Sequence, residues 1–463
     1  MTLPAKFVER VLRDLGGTEG AALCAALDAE PPVSVRLNPA KTGADTLPAG
    51  PDAGLPVPEA AGLPALAIAG RVPWSRDGRY LAVRPSFTLD PDFHAGAYYV
   101  QEASSQFVGH LLAAVRTEGA RILDLCAAPG GKTTLYASLA GPDGLVVANE
   151  IDRRRASVLA DNVRKWGTGN VAVTTCEPRA LGDFEAWFDV VAVDAPCSGE
   201  GMFRKDPDAR GEWSEGNVKQ CAARQDEILR EAWRALRPGG TLVYSTCTFN
   251  RDEDEGALER MAAWAGDEIA ESEETAVEDA WGIVCGRVGA FRTFRFYPHR
   301  TCGEGFFAAV ARKSFDAGGR VRAPKARRTV FAAVDRKTAG ELARWVRNPG
   351  GMRFAAVADT CYAWYAAQAD AVRTLSEALP VIYSGVALGQ VFKGVLKPDP
   401  ALAFFDGLNR GALPAAELDD EETLRFLRRQ DIAAGGLAEG MNLVCSRGRA
   451  LGFAKRIGAR VNN

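Results

Sequence analysis

The sequence predicts an α/β protein built on a mostly parallel, doubly wound sheet, with an α+β region before it and a smaller domain after it. Three observations lead there. From about residue 100, strand-like runs alternate with amphipathic helical runs. A glycine-rich turn, Pro129-Gly130-Gly131, directly follows a buried strand and opens a helix. The chemically distinctive motifs fall at strand carboxyl ends, where such sheets bind ligands.

The elements follow in order. Phe7, Val8, Val11, Leu12 and Leu15 recur at helical spacing. PPVSVRLNPAK, a Pro/Gly/Ala-rich stretch and the strand-like RYLAVRP complete an opening region over residues 1–98. ARILDLCAAPGGKTTLYASLA reads strand, loop, helix, and LVVANEIDRRRASVLADNVRKWG reads strand, helix. NVAVTTCEP, FDVVAVDAPCSGEG and PGGTLVYSTCTFN supply a third, fourth and fifth strand within a domain spanning 99–315. A basic linker and intermediate domain (316–390) and a terminal domain of short strands (391–463) complete the chain.

Composition narrows the function classes. Lys+Arg number 56 against 59 Asp+Glu, a net charge of −3 that excludes a uniformly basic nucleic-acid binder. The total hides segregation. Residues 252–279 hold twelve acids and one base, Arg260, so the rest of the chain is net positive. That acidic run reads as a solvated helix and loop facing away from substrate. The ten cysteines include no CxxC pair, and no apolar run is long enough to span a membrane. A reducing cytoplasm is the expected location, so the cysteines are free thiols available for chemistry.

Residues Cys126, Ala127, Ala128, Pro129, Gly130, Gly131 and Lys132 form a loop where the backbone can approach a ligand closely and a helix N-terminus offers unpaired N–H groups. Glu150 ends the next strand, where a carboxylate would meet ribose hydroxyls. A tight turn with no ligand is one alternative. A phosphate-binding P-loop is another, but the position of its first glycine is occupied by Cys126. S-adenosylmethionine, a nucleoside sulfonium needing no metal, fits better.

Cys197 and Cys247 end the fourth and fifth strands beside Asp194. A lone cysteine is usually a small buried core residue. Two at neighbouring ligand-side strand ends suggest covalent catalysis. A thiolate adding to carbon 6 of cytosine makes carbon 5 nucleophilic toward an activated methyl group. A base then removes the carbon-5 proton and the thiolate leaves. Cys247, Asp194 and Cys197 could supply nucleophile, acid and release, but the residues alone do not say which thiol attacks.

YYVQEASSQ, LDLCAAPGGKTT, DAPCSGEGMFRKDPDA, LRPGGTLVYSTCTFN and GEGFFAA resemble, in order, the motifs of RNA cytosine-C5 methyltransferases of the NOL1/NOP2/Sun family. The ending GFAKRIGARVNN is similar to the F-type bacterial small-subunit rRNA methyltransferases. The resemblance implies a Rossmann-like class I methyltransferase fold with a C-terminal PUA-like RNA-binding domain. It implies that Cys247 attacks and Cys197 assists release. It places Glu150, Arg155, Asp194 and the residues 126–132 at the cofactor, S-adenosyl-L-methionine. Glu177 stands where the F-type enzymes usually carry Asp, and Lys205 matches a family lysine near the site. His299 reads as a structural, hydrogen-bonded histidine.

The implied partner is RNA, 16S rRNA or the small ribosomal subunit, bound by a monomer with no membrane association. A tRNA methyltransferase of the same chemistry and a non-catalytic rRNA-binding assembly factor are the alternatives. The target base must leave its stack. Phosphate contacts are expected from Arg320, Arg322, Lys325, Arg327 and Arg328, and from Arg447, Arg449, Lys455, Arg456 and Arg460. Tyr362, Trp364 and Tyr365 could stack on bases, although their spacing is also that of core residues.

Overall fold

The computed structural model describes residues 2–43 and 63–462. Most of the Pro/Gly/Ala-rich stretch of the opening region lies outside them. Helices Ala5–Leu15 and Gly17–Ala26 lead into a four-stranded antiparallel sheet. Its strands run in the order Ile68–Arg71, Gly78–Leu81, Val33–Leu37, Tyr98–Tyr99.

The central sheet carries the site. Strands Leu236–Thr246, Phe188–Asp194, Arg121–Asp124, Leu145–Asn149 and Val171–Thr174 lie side by side and parallel. The chain starts in the middle with Arg121–Asp124, winds outward one way, then returns and winds the other way. The order therefore reverses between Arg121–Asp124 and Phe188–Asp194, and a ligand crevice is expected beyond their carboxyl ends. Antiparallel strands Phe306–Lys313, Phe291–Phe296 and Val284–Val288 extend one side.

Alternation along these strands builds two cores. Ile122, Val146, Ala148, Val173, Val190 and Val243 face helices Phe107–Ala113, Gly131–Ala140 and Arg153–Trp166. Leu123, Val147, Ala172, Val191 and Leu242 face helices Glu215–Ala235, Glu255–Ala265 and Ala369–Ala378. Both faces are buried, so these strands read as nearly continuous apolar runs. Each fully buried Val, Leu or Ile contributes about 1.5–3 kcal/mol. Helix limits follow from caps: Asp152 accepts from the N–H groups of Arg154 and Arg155, and Gly167 ends the same helix at φ 87°.

Beyond the central domain, strands between Ala332 and Pro398 form a five-stranded antiparallel sheet. Strands Ala415–Glu417, Gly440–Ser446, Arg449–Ile457 and Arg460–Asn462 form a terminal four-stranded sheet. Two boundaries read from the sequence fall inside strands, 98/99 within Tyr98–Tyr99 and 390/391 within Val386–Phe392. Strand Val381–Ser384, from the segment assigned to an intermediate domain, pairs antiparallel with Val171–Thr174 and closes the far edge of the central sheet.

Other expectations change as well. The acidic run is not wholly solvated: Glu253 and Asp254 are fully buried, the latter paired with Arg295 at 2.9 Å. The basic linker is a strap held against the domain. Arg328 donates to the carbonyls of Ser376 and Leu379 at the end of helix Ala369–Ala378, and the backbone N–H groups of Arg322 and Arg327 bond Glu185 and Glu377. Trp364 is buried, stacked on Tyr362 at 5.7 Å and donating to Ser384, and Tyr365 packs against Phe405, so this aromatic group is core.

Candidate active site

The loop after strand Arg121–Asp124 is fixed on both sides. Leu125 N–H bonds Ala192 O and Ala127 N–H bonds Asn149 O. Gly130 sits at φ 111°, and a side chain there would come within 2.9 Å of Leu159. Only glycine suits both constraints. Arg155 donates to Ala128 O at 3.0 Å and pairs with Glu150 at 3.2 Å, so it ties the second strand's carboxylate to the loop.

A cavity of about 160 Å³ opens on this loop, bounded by Tyr99, Gln101, Asp124, Cys126, Lys132 and Asp194 among others. Asp124 accepts from Thr133 Oγ at 2.7 Å through one oxygen, while its other oxygen is buried without a donor. Burial pushes its pKa up to about 7. These donors and acceptors suit S-adenosylmethionine. An ammonium would satisfy Asp124, ribose hydroxyls would suit Glu150, and the loop admits a close approach.

Beyond the strand ends, Lys132 Nζ lies 2.8 Å from Asp194, which also accepts from Ser245 Oγ at 2.7 Å. Burial opposes the Lys132 charge, but Asp194 outweighs it and holds the pKa above the ordinary lysine value. Cys197 Sγ and Cys247 Sγ are 3.1 Å apart. The bond to Cys247, then burial, push the Cys197 thiol well above its usual range. Either thiol can serve as the S–H donor of the pair.

Two buried carboxylates cross-link the loops bearing these thiols. Glu200, on the Cys197 loop, accepts from Thr248 Oγ1 at 2.6 Å and Phe249 N–H at 2.8 Å on the Cys247 loop. Glu253, following the Cys247 loop, accepts from Ser198 N–H at 2.9 Å. Asn250 and Gln225 complete its shell. Gly201 N–H bonds Cys247 O, and a side chain at Gly201 would meet Gly305 O at 2.5 Å.

The structure thus brings together Asp194, Cys197, Cys247, Lys132 and the 126–131 loop. It leaves others apart. Glu177 is exposed at the start of helix Pro178–Gly182, outside the cavity lining, and Lys205 is exposed on the surface. His299 bonds Glu19 at 2.8 Å, the structural role expected of it. Arg447 and Arg449, expected to meet phosphate, instead reach the buried Asp90 and Asp92 of the opening region, at 2.7–3.3 Å. Those carboxylates need cationic partners, and the two arginines supply them.

Glu200, Glu253 and Arg36 went unread in the sequence. The fully buried Arg36 donates to Gln101, Gly131 O and Thr134 and lies 4.4 Å from the Trp166 ring, linking the opening region to the cofactor loop's helix. The charged residue inside the apolar VSVRL run was its only signal.

Comparison with known proteins agrees with this geometry. The model of 16S rRNA methyltransferase RsmB/F matches residues 111–312. The N-terminal domain of 16S rRNA methyltransferase RsmF matches 3–103, and the methyltransferase RsmF PUA domain matches 414–463. The ribosomal RNA small subunit methyltransferase F of Shewanella loihica is 32% identical, over 85% of this chain and 82% of its own. That of Erwinia tasmaniensis is 31% identical over 85% and 83%. A methyltransferase homolog from Pyrococcus horikoshii superposes with a TM-score of 0.55 at 26% identity, over 66% of this chain and 94% of its own. With similarity running through the opening region, the thiol-bearing domain and the terminal sheet alike, the chain belongs to the ribosomal RNA small subunit methyltransferase F family.

Proposed function

We propose that this protein methylates carbon 5 of a cytosine in 16S rRNA, through a transient bond between Cys247 and carbon 6 of the base. The observation that carries the reading is the 3.1 Å approach of Cys247 and Cys197 beside the Lys132–Asp194 pair. The relatives are rRNA small subunit methyltransferases by name, which supports the substrate.

Asp124, Glu150 and the 126–131 loop would hold S-adenosylmethionine, which when bound would supply an electrophilic methyl group. The chain's own residues do the rest. Cys197 donates its S–H toward Cys247, favouring negative charge on the attacking sulfur. Cys247 forms the carbon-6 bond, and the displaced π electrons reach the ring edge, where Lys132 and Asp194 provide acid and base. After methylation a base takes the carbon-5 proton, the ring double bond reforms and the C–S electron pair returns to Cys247. Cys197 is placed to serve that release. Glu200 and Glu253 hold both sulfurs in position throughout. The protein works as a cytoplasmic monomer, with the opening region and the PUA-like module contacting RNA.

The test is a denaturation-resistant protein–RNA adduct. Cys197→Ala is expected to accumulate it, and Cys197→Ala with Cys247→Ala to lose it. An adduct that depends on Cys197 instead reverses the roles. Retained methylation by the doubly substituted protein removes the mechanism, and bisulfite sequencing of 16S rRNA from a deletion strain reads out the substrate.

A further inference from the structure

The larger cavity, about 340 Å³, is not at the thiols. It lies where three parts of the chain meet: Lys41 from the opening region, Arg347 and Phe404–Asp406 from the middle, and Arg410 and Arg449 from the terminal region. Four cations face one carboxylate. The neighbouring helix Arg153–Trp166 has Arg155 at the cofactor loop and Lys165 at this cavity, so the two places are about 15 Å apart along the helix at 1.5 Å per residue.

The cations divide into two kinds. Arg449 is engaged with Asp92, and Lys41 donates to the carbonyls of Ala95 and Lys165 at 2.8 and 2.6 Å. Burial pushes the Lys41 pKa down to about 7, despite the opposing pull of Asp406. Arg347 uses a single Nη, toward Asp406 O, and Arg410 a single Nη, toward Gly448 O and Cys445 Sγ. Among the described residues their Nε and other Nη groups have no partner, and both side chains reach solvent. Beside them Asp406 Oδ1 is buried without a donor, and Phe404 offers a ring under Lys41.

We propose that this cavity is a nucleotide subsite that anchors an RNA strand away from the target base. The free edges of Arg347 and Arg410 match a phosphate, which guanidinium groups hold in a bidentate way. Asp406 Oδ1 would accept from a ribose hydroxyl or a base N–H. Phe404 supplies an apolar face. A pocket of this volume falls at the small end of ligand sites. The proposal rests on reading the protein as an RNA enzyme.

The experiment compares the full-length protein with Arg347→Ala/Arg410→Ala and with Arg347→Lys/Arg410→Lys. Binding to purified 16S rRNA is measured across salt, alongside methylation. The Ala pair is expected to weaken binding about tenfold, and to lower the salt slope by about 0.7, the value for one single-strand phosphate contact. KM for RNA rises while kcat at saturation stays within about twofold. The Lys pair recovers most of the salt slope. If the Ala pair fails to fold, Arg347→Gln/Arg410→Gln replaces it. Unchanged binding and slope, with wild-type methylation intact, overturn the proposal. Tight binding of AMP or inorganic phosphate that the Ala pair abolishes, with RNA affinity unchanged, assigns the cavity to a free ligand and also overturns it. Absence of both RNA binding and methylation in the wild type refutes the enzyme reading instead.

Discussion

The thiol rim and the domain junction both depend on buried carboxylates, but they satisfy them differently. At the rim, Glu200 and Glu253 accept from backbone N–H groups, a hydroxyl, amides and the Trp213 indole. At the junction, Asp90 and Asp92 are met by Arg447 and Arg449, and Asp90 also by Tyr98 at 2.6 Å. Directional neutral donors specify where a loop sits. Arginines neutralise charge and join surfaces. The rim is therefore built for position and the junction for cohesion, and substitutions should separate the two.

The largest effect is expected at the rim. Cys247→Ser should lower methyl incorporation into 16S rRNA by at least about 10³-fold while leaving the melting curve unchanged, since the weaker nucleophile keeps the packing. Glu200→Gln replaces an acceptor with a donor facing Phe249 N–H or Trp213. We expect a loss of about 3 kcal/mol in urea denaturation and about 10²-fold in rate.

Asp124 sharpens the contrast, because burial outweighs the pull of the Lys132 charge and raises its pKa to about 7. Below about pH 4 the carboxyl is protonated both folded and unfolded, so ionisation adds no difference. As pH rises to 7 the unfolded group ionises while the folded one resists, and wild-type stability falls. Asp124→Asn should thus gain on wild type between pH 4 and 7, by about 4 kcal/mol, and level off above. A constant difference across that range would show that burial does not dominate this group.

At the junction, Arg449→Met should cost about 1–2 kcal/mol, because Arg447 still serves Asp92. The loss should appear as earlier unfolding at low salt, and kcat should change less than twofold.

Much of the site was legible from local pattern. A parallel sheet puts consecutive strand ends on one rim, so Cys126, Asp194 and Cys247 had to converge. Pairing at long range was not legible. Arg449 meets Asp92 across 357 residues, and nothing near Arg449 distinguishes it from a phosphate ligand. Glu253 and Asp254 sit in an acidic run whose net charge argued for solvent, yet their individual partners lie on other elements. Glu177 shows the limit of motif order. Its place after the third strand follows from the sequence, while the direction and exposure of its side chain do not.

Strand Val381–Ser384 has a consequence in time. It pairs with Val171–Thr174, made roughly 200 residues earlier. At about 5–20 residues per second, that leaves the strand's outer side unpaired for roughly 10–40 s of each round of synthesis. An open row of N–H and C=O groups invites pairing with neighbouring nascent chains. The enzyme's yield should therefore depend on how quickly translation crosses the segment between these strands, and slow codons there should favour aggregation over product.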